Sequence, residues 1–80
     1  MRKRSLAREV AAEIDDDRRL LADLGRRATC YWSRAKAVDR AQAYHRRRIA
    51  GFAERGSITA AQRDHLLALV EAMGAPIAET

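Results

Sequence analysis

The chain has 80 residues, and its 16 lysine and arginine side chains outnumber 11 acidic ones, which gives a formal net charge of +5. This length suits a single small domain, and the sequence has no run of about 18 apolar residues that could span a membrane. The basic N-terminal residues lead into no apolar segment of the signal-peptide type. Cys30 is the one cysteine in the sequence, so it cannot form an internal disulfide or anchor a zinc site. We expect a small, basic, soluble protein of the cytoplasm with no metal or cofactor.

The first predicted helix covers residues 6–24 and follows a basic arm at residues 1–5. Ser5 suits the N-cap position, and Gly25 suits the residue just after the helix. Asp17 falls where the apolar stripe of this helix would continue, so its carboxylate lies either at the edge of the packing face or beside a partner in the core. The stripe consists of Leu6, Val10, Ile14, Leu21 and Leu24, with Leu20 alongside.

The acidic run Asp15-Asp16-Asp17 is not interpreted as a metal site. Consecutive helical residues diverge by about 100°, so three adjacent carboxylates cannot converge on one ion. Ion pairs with the neighbouring Arg18 and Arg19 are the expected role of this run.

The second predicted helix covers residues 26–54 and carries the excess positive charge. Residues 26–55 contain nine basic side chains and two acidic ones, a net charge of +7, whereas residues 1–25 are neutral and residues 56–80 sum to −2. Gly51 is expected to fray or kink the last turn without dividing the helix. A packing stripe with alternating steps of three and four residues runs along it: Ala28, Tyr31, Ala35, Val38, Gln42, His45, Ile49 and Phe52.

The third predicted helix covers residues 60–73. Thr59 at the N-cap and Gln62 three residues later form a capping-box pattern. Gly74 and Pro76 end the helix, and residues 75–80 are expected to form a loose tail. Its apolar face consists of Leu66, Leu69, Val70 and Met73.

These elements predict an all-α fold of three helices. We expect the long central basic helix to form an antiparallel helical hairpin with the first helix, and the short third helix to fold back on it. Seventeen alanines leave few large side chains for a core. A homodimer along the packing stripe of the second helix would relieve that shortage, with Gln42 and His45 as polar residues that fix its register. His45 is expected to be a hydrogen-bonded member of the stripe and not a metal ligand.

The basic residues of the second helix are expected to lie opposite its packing stripe. Arginine can grip a phosphate with two parallel hydrogen bonds, and a solvated helix face normally mixes charges of both signs. Our leading hypothesis is a non-enzymatic protein that binds nucleic acid, DNA in preference to RNA, as a regulatory or accessory factor of a phage, plasmid or bacterial chromosome. A merely solvated face, or arginine enrichment in a high-GC genome, would give the same composition. The expected binding residues are Arg26, Lys36, Arg40, Arg47, Arg48 and Arg55.

The alternative hypothesis is a protein-interaction module or small inhibitor that docks the same helix on an acidic surface of a host protein. Aromatic and arginine side chains dominate the hot spots of such interfaces. The residues expected there are Tyr31, Trp32, Arg34, Tyr44 and Arg46.

A third hypothesis comes from a resemblance over about the first forty residues. The stretch containing Ile14-Asp15, Leu20-Leu21, Leu24, Arg26-Arg27, Lys36 and Asp39 resembles the small all-helical chorismate mutases. The resemblance implies three helices, a dianionic substrate bound by arginines and a lysine, and no cofactor. The chain departs from the family where an Asp-x-x-Arg-Glu motif is expected, because it has Asp39-Arg40-Ala41-Gln42-Ala43 there. Lys36 also lies closer to the arginine pair than the family spacing implies.

Overall fold

Three α-helices make up the fold, which confirms the predicted all-α class. The computed structural model describes the backbone of residues 5–27 and 31–74, and the side chains of residues 5–23 and 34–74. The helices are α1 (Leu6–Arg27), α2 (Tyr31–Glu54) and α3 (Ala60–Ala72), and each packs against both of the others. None of the described helices is both long enough and apolar enough to cross a membrane.

Several predictions fall outside the described residues. They concern the N-terminal arm up to Arg4, the tail at residues 75–80, Cys30, and the side chains of Leu24, Arg26, Ala28, Tyr31 and Trp32.

The boundary between the first two helices differs from the prediction. Helix α1 does not stop at Leu24 but continues through Gly25 to Arg27, and α2 begins at Tyr31 and not at residue 26. Arg26, predicted on the basic central helix, therefore belongs to the last turn of α1. A glycine inside a helix costs only about 1 kcal/mol relative to alanine, and the arginines after Gly25 are good helix formers, so this glycine does not end the helix.

The end of α2 is fixed by Gly56. This residue has φ of +72°, a left-handed conformation that glycine adopts without steric cost. The amide of Gly56 donates to the carbonyl of Ala53 at 3.1 Å, and the amide of Ser57 donates to that of Phe52 at 2.9 Å. These two bonds form a Schellman motif that satisfies carbonyls in the last turn. Helix α2 continues undivided through Gly51, as expected.

The start of α3 confirms the predicted capping box. The Thr59 hydroxyl accepts a hydrogen bond from the Gln62 amide at 3.0 Å, and the Gln62 side-chain oxygen accepts one from the Thr59 amide at 2.8 Å. Two amides that lack helical partners are thereby satisfied.

The core lies where the three helices meet, and its members come from all of them. The Ile58 side chain, which precedes the third helix, also enters the core and was not predicted there. Leu20 was placed alongside the apolar stripe of α1, and its side chain is 68% exposed. The buried apolar residues are Val10, Ile14, Leu21, Val38, Ile49, Ile58, Leu66, Val70 and Met73.

The packing stripe of α2 contributes to this core within a single chain. Val38, His45 and Ile49 are buried, and the Gln42 side-chain amide donates to the Val70 carbonyl of α3 at 3.0 Å. These residues are therefore not available on the surface for the predicted homodimer, because α1 and α3 already cover them. Ala35 is exposed and Phe52 is partly buried. The homodimer stays a prediction, and the side chains of Ala28 and Tyr31, which also belong to its predicted surface, lie outside the described residues.

Candidate nucleic-acid interface

The basic side chains of α2 divide into those that contact other helices and those that face solvent. Arg48 belongs to the first group, since its guanidinium hydrogen-bonds the Glu13 carboxylate of α1. This bond raises the pKa of Arg48 above its ordinary value, although partial burial opposes the effect. The same guanidinium lies 5.5 Å from the ring centroid of Tyr44 and 5.3 Å from that of Phe52. Arg48 was predicted to bind phosphate, and in the structure its guanidinium joins α2 to α1 through Glu13.

Arg46 and Arg34 are also engaged within the fold. The Nε atom of Arg46 donates to Oε1 of Glu71 on α3 at 3.1 Å, and the Nε atom of Arg34 donates to the Leu21 carbonyl of α1 at 3.4 Å. Both were predicted at an interface with a host protein. Their hydrogen-bonding groups are already partly occupied by the neighbouring helices.

Arg55 lies at the C-terminal end of α2 and has an aromatic neighbour. Its guanidinium is 5.2 Å from the ring centroid of Phe52, a cation–π arrangement. Its Nη1 atom also comes within 3.3 Å of the point where a Cβ on Gly51 would lie. Arg55 remains exposed and keeps its hydrogen-bonding capacity.

Lys36, Arg40 and Arg47 form the solvent-facing group, which we call the α2 stripe. All three are exposed, and within the described part of the chain none has an ion pair or hydrogen bond. Their spacing of four and seven residues places them on one face of the helix. At 1.5 Å per residue, the Cα atoms of Lys36 and Arg47 are about 16 Å apart along the axis. Three of the six predicted phosphate-binding residues thus share one surface and have no charge partner among the described residues.

The acidic residues nearest to the α2 stripe in sequence form no ion pair with it in the described part of the chain. Asp39 lines a cavity of about 240 Å³ that also contains Arg34 and Gln42, and it forms no ion pair with Lys36 or Arg40. Glu54 lies seven residues beyond Arg47, at the far end of the helix. The three cations of the stripe are therefore not ion-paired among the described residues, and Asp39 is the one acidic residue of α2 between Lys36 and Arg47.

Tyr44 extends this surface with an aromatic side chain. It lies four residues after Arg40 and three before Arg47, and it is 53% exposed. Its ring meets the buried ring of His45 edge-on, with the centroids 5.2 Å apart and the planes at 71°. Tyr31 and Trp32, the other aromatics predicted to contact a partner, have side chains outside the described residues.

The acidic run of α1 divides among different partners, as its helical geometry requires. Asp15 pairs with Arg18 at 3.1 Å and with Arg19 at 3.0 Å, which confirms the expected local ion pairs. Asp17 points inward and accepts a hydrogen bond from His45, while Asp16 is exposed. No group of three or more potential metal ligands converges within the described residues.

Two cavities lined by described residues bear on the hypothesis of a site for a dianionic metabolite. The cavity beside Gln42 contains one guanidinium, that of Arg34, together with the Asp39 carboxylate. A second cavity, of about 350 Å³ between α1 and α3, is mostly apolar and contains Arg18, which is paired with Asp15. Lys36, which the mutase resemblance places at the substrate, belongs to the α2 stripe and lines neither cavity.

The partners of the engaged arginines were not predicted from the sequence. Glu13 and Glu71 lie on different helices from the arginines that they bind, 35 and 25 residues away. The one sequence signal was Asp17, whose place in the apolar stripe indicated that it needs a partner.

Comparison with protein families, with curated proteins and with solved structures finds no match to this chain.

Proposed function

We propose that this protein is a non-enzymatic nucleic-acid-binding factor that contacts phosphates through the α2 stripe. The observation that carries the proposal is the exposure of Lys36, Arg40 and Arg47 on one helix face with no acidic partner among the described residues. A regulatory or accessory role for a phage, plasmid or bacterial chromosome, in the cytoplasm, is the setting we propose for it.

The charge of the α2 stripe supports a polyanionic partner. A solvated helix face usually carries both signs, because acid–base pairs four residues apart stabilise the helix. Here the three cations repel one another, and a partner of opposite charge removes that repulsion. Each strand of a DNA duplex carries one negative charge for about every 3.4 Å of helix axis, so a stripe about 16 Å long is long enough for its three cations to meet different phosphates.

The binding test compares two variants that lose the same charge. The first replaces the α2 stripe (Lys36→Ala, Arg40→Ala and Arg47→Ala). The second removes three arginines from α1 and α3 that pair with acids (Arg18→Ala, Arg19→Ala and Arg63→Ala). Fluorescence anisotropy with a labelled oligonucleotide at low salt should show binding by the wild type and the second variant and strong loss with the first.

Two outcomes of this test would contradict the proposal, one concerning the wild type and one concerning the difference between the two variants. Absence of binding by the wild type at low salt would exclude the function. Equal losses in the two variants would show that net charge alone attracts the oligonucleotide and that the α2 stripe is not the binding surface.

A protein-interaction role is the second candidate, and the exposure of Tyr44 and Leu20 favours it. In that case the aromatic side chain and the neighbouring arginines would dock on an acidic protein surface. Capture of a host protein by the wild type, lost with Trp32→Ala in a protein that remains folded, together with no affinity for oligonucleotides, would support this second function.

A further inference from the structure

We propose that Tyr44 stacks on an unpaired base, so that the nucleic acid bound by the α2 stripe is single-stranded. This inference rests on the proposed function, since it requires phosphates held by the stripe beside the ring.

The position of Tyr44 within the cations is the first argument. Arg40 and Arg47 precede and follow it by about one helical turn each, so a strand held by these two residues passes the ring. The ring is 53% exposed, whereas the other described aromatic side chain, that of Phe52, is partly buried. An aromatic surface between phosphate-binding groups is the arrangement that single-strand binding proteins use.

The way in which the Tyr44 ring is held is the second argument. The guanidinium of Arg48 lies over it with 5.5 Å to the centroid, and Glu13 fixes that guanidinium. The buried ring of His45, the next residue along α2, contacts the Tyr44 ring edge-on. Two neighbours thus restrain the ring while half of its surface remains open to solvent. A restrained ring loses little conformational freedom when a base stacks on it, which favours binding.

The geometry of nucleic acids then favours a single strand. Bases in a duplex are stacked on one another and offer only their edges in the grooves. A side chain on the outer face of a helix reaches the face of a base only where the base is unpaired. Stacking on an aromatic ring tolerates any base, so we expect weak sequence preference.

The test measures binding of a labelled 20-nucleotide oligo(dT) and of a 20-base-pair duplex at the same ionic strength. The variants are Tyr44→Leu, which removes the aromatic face, Tyr44→Phe, which keeps it, and Leu20→Ala, which removes an exposed apolar side chain of α1. We expect the wild type to prefer oligo(dT), and Tyr44→Leu to weaken binding of oligo(dT) on the order of tenfold while leaving duplex binding unchanged. Tyr44→Phe and Leu20→Ala should bind as the wild type does, and circular dichroism checks that each variant is folded.

Three results would overturn the inference. Wild-type affinity of Tyr44→Leu for oligo(dT) would show that the ring does not stack. Duplex binding as tight as oligo(dT) binding, with loss in the stripe variant, would leave the proposed function standing and exclude the single-strand preference. No binding of either probe by the wild type would exclude both.

Discussion

The Nε2 atom of His45 lies 2.6 Å from Oδ2 of Asp17, a hydrogen bond that joins the middle of α2 to α1. The imidazole is 1% exposed, whereas the carboxylate side chain is 39% exposed. A buried polar ring requires a partner, and Asp17 lies in the stripe of α1 that faces the core. This bond explains why Asp17 interrupts the apolar stripe of α1 and why His45 is accommodated in the packing stripe of α2.

Removal of the carboxylate should therefore destabilise the fold. Asp17→Ala leaves the buried Nε2 atom without its acceptor, and we expect the free energy of unfolding to fall by about 1–3 kcal/mol. Urea unfolding followed by circular dichroism measures the change. The matched control is Asp16→Ala, one residue away and exposed, whose effect should stay within about 0.5 kcal/mol. Equal effects of the two substitutions would show that the hydrogen bond contributes nothing to stability.

The same hydrogen bond predicts the tautomer of His45. The Asp17 carboxylate accepts, so Nε2 of His45 carries a proton, whereas Nδ1 is buried without a hydrogen-bond partner in the described structure. Long-range ¹H–¹⁵N correlation spectra should show a proton on Nε2 of His45. A spectrum with the proton on Nδ1 alone would contradict the assigned bond.

Arg48 and its neighbour Arg47 should differ in their effect on stability. Arg48→Ala removes the bond to Glu13 and the contacts with two aromatic rings, and we expect a loss of about 1–2 kcal/mol. Arg47→Ala should change the free energy of unfolding by less than about 0.5 kcal/mol, because this side chain is exposed and unpaired among the described residues. Thermal and urea unfolding of both variants test the difference, and a larger loss with Arg47→Ala would reverse the assignment of the two arginines.

Between pH 6 and about 9, the contribution of Arg48 to the free energy of unfolding should not change through titration of its own guanidinium. Its pKa is raised by Glu13, so the stabilisation that it gives is present below the ordinary arginine pKa and is lost only as pH rises through the raised value. The stability difference between wild type and Arg48→Lys should therefore show no titration of position 48 between pH 6 and about 9, since lysine also stays charged there. A difference that changed through this range would show that another group titrates with this contact.

Two glycines near the end of α2 should respond to alanine with opposite signs. Gly56→Ala places a Cβ on a residue with φ of +72°, and we expect a loss of about 1–2 kcal/mol. Gly51→Ala places a better helix former inside α2. The atom nearest to its Cβ is at the end of the flexible Arg55 side chain. We expect a gain of about 0.5–1 kcal/mol there. Stabilisation by Gly56→Ala, measured by thermal unfolding, would exclude the Schellman motif as the stop signal of α2.

The helices themselves could be predicted because their signals are local. The capping pair Thr59 and Gln62 and the apolar spacing of α3 are contained within a few residues. The end of α1 was predicted wrongly because Gly25 resembles a stop signal, whereas a glycine stops a helix only where its φ turns positive, as at Gly56.

The sequence does not show in the same way which arginines of α2 contact other helices and which face solvent. On a helical wheel Arg47 lies about 160° from Ile49 and Arg48 about 100° from it, on the flank of the packing face, but the wheel does not show which acidic residue of another helix a flanking arginine meets. That outcome depends on Glu13, 35 residues earlier in the chain, which the packing of α1 brings to Arg48. The candidate site is accordingly smaller than predicted and better defined, with Lys36, Arg40 and Arg47 at its centre.

The salt dependence of oligonucleotide binding tests the central claim most directly. Each phosphate contact contributes a slope of about 0.7 to log K against log salt on a single strand and about 0.9 on a duplex. If Lys36, Arg40 and Arg47 each contact a phosphate, the stripe variant should lose a slope of about 2 on oligo(dT), or about 2.7 on duplex DNA. The variant of Arg18, Arg19 and Arg63 should keep the wild-type slope. An unchanged slope in the stripe variant, or the same decrease in both variants, would contradict the assignment of the α2 stripe as the phosphate-binding surface.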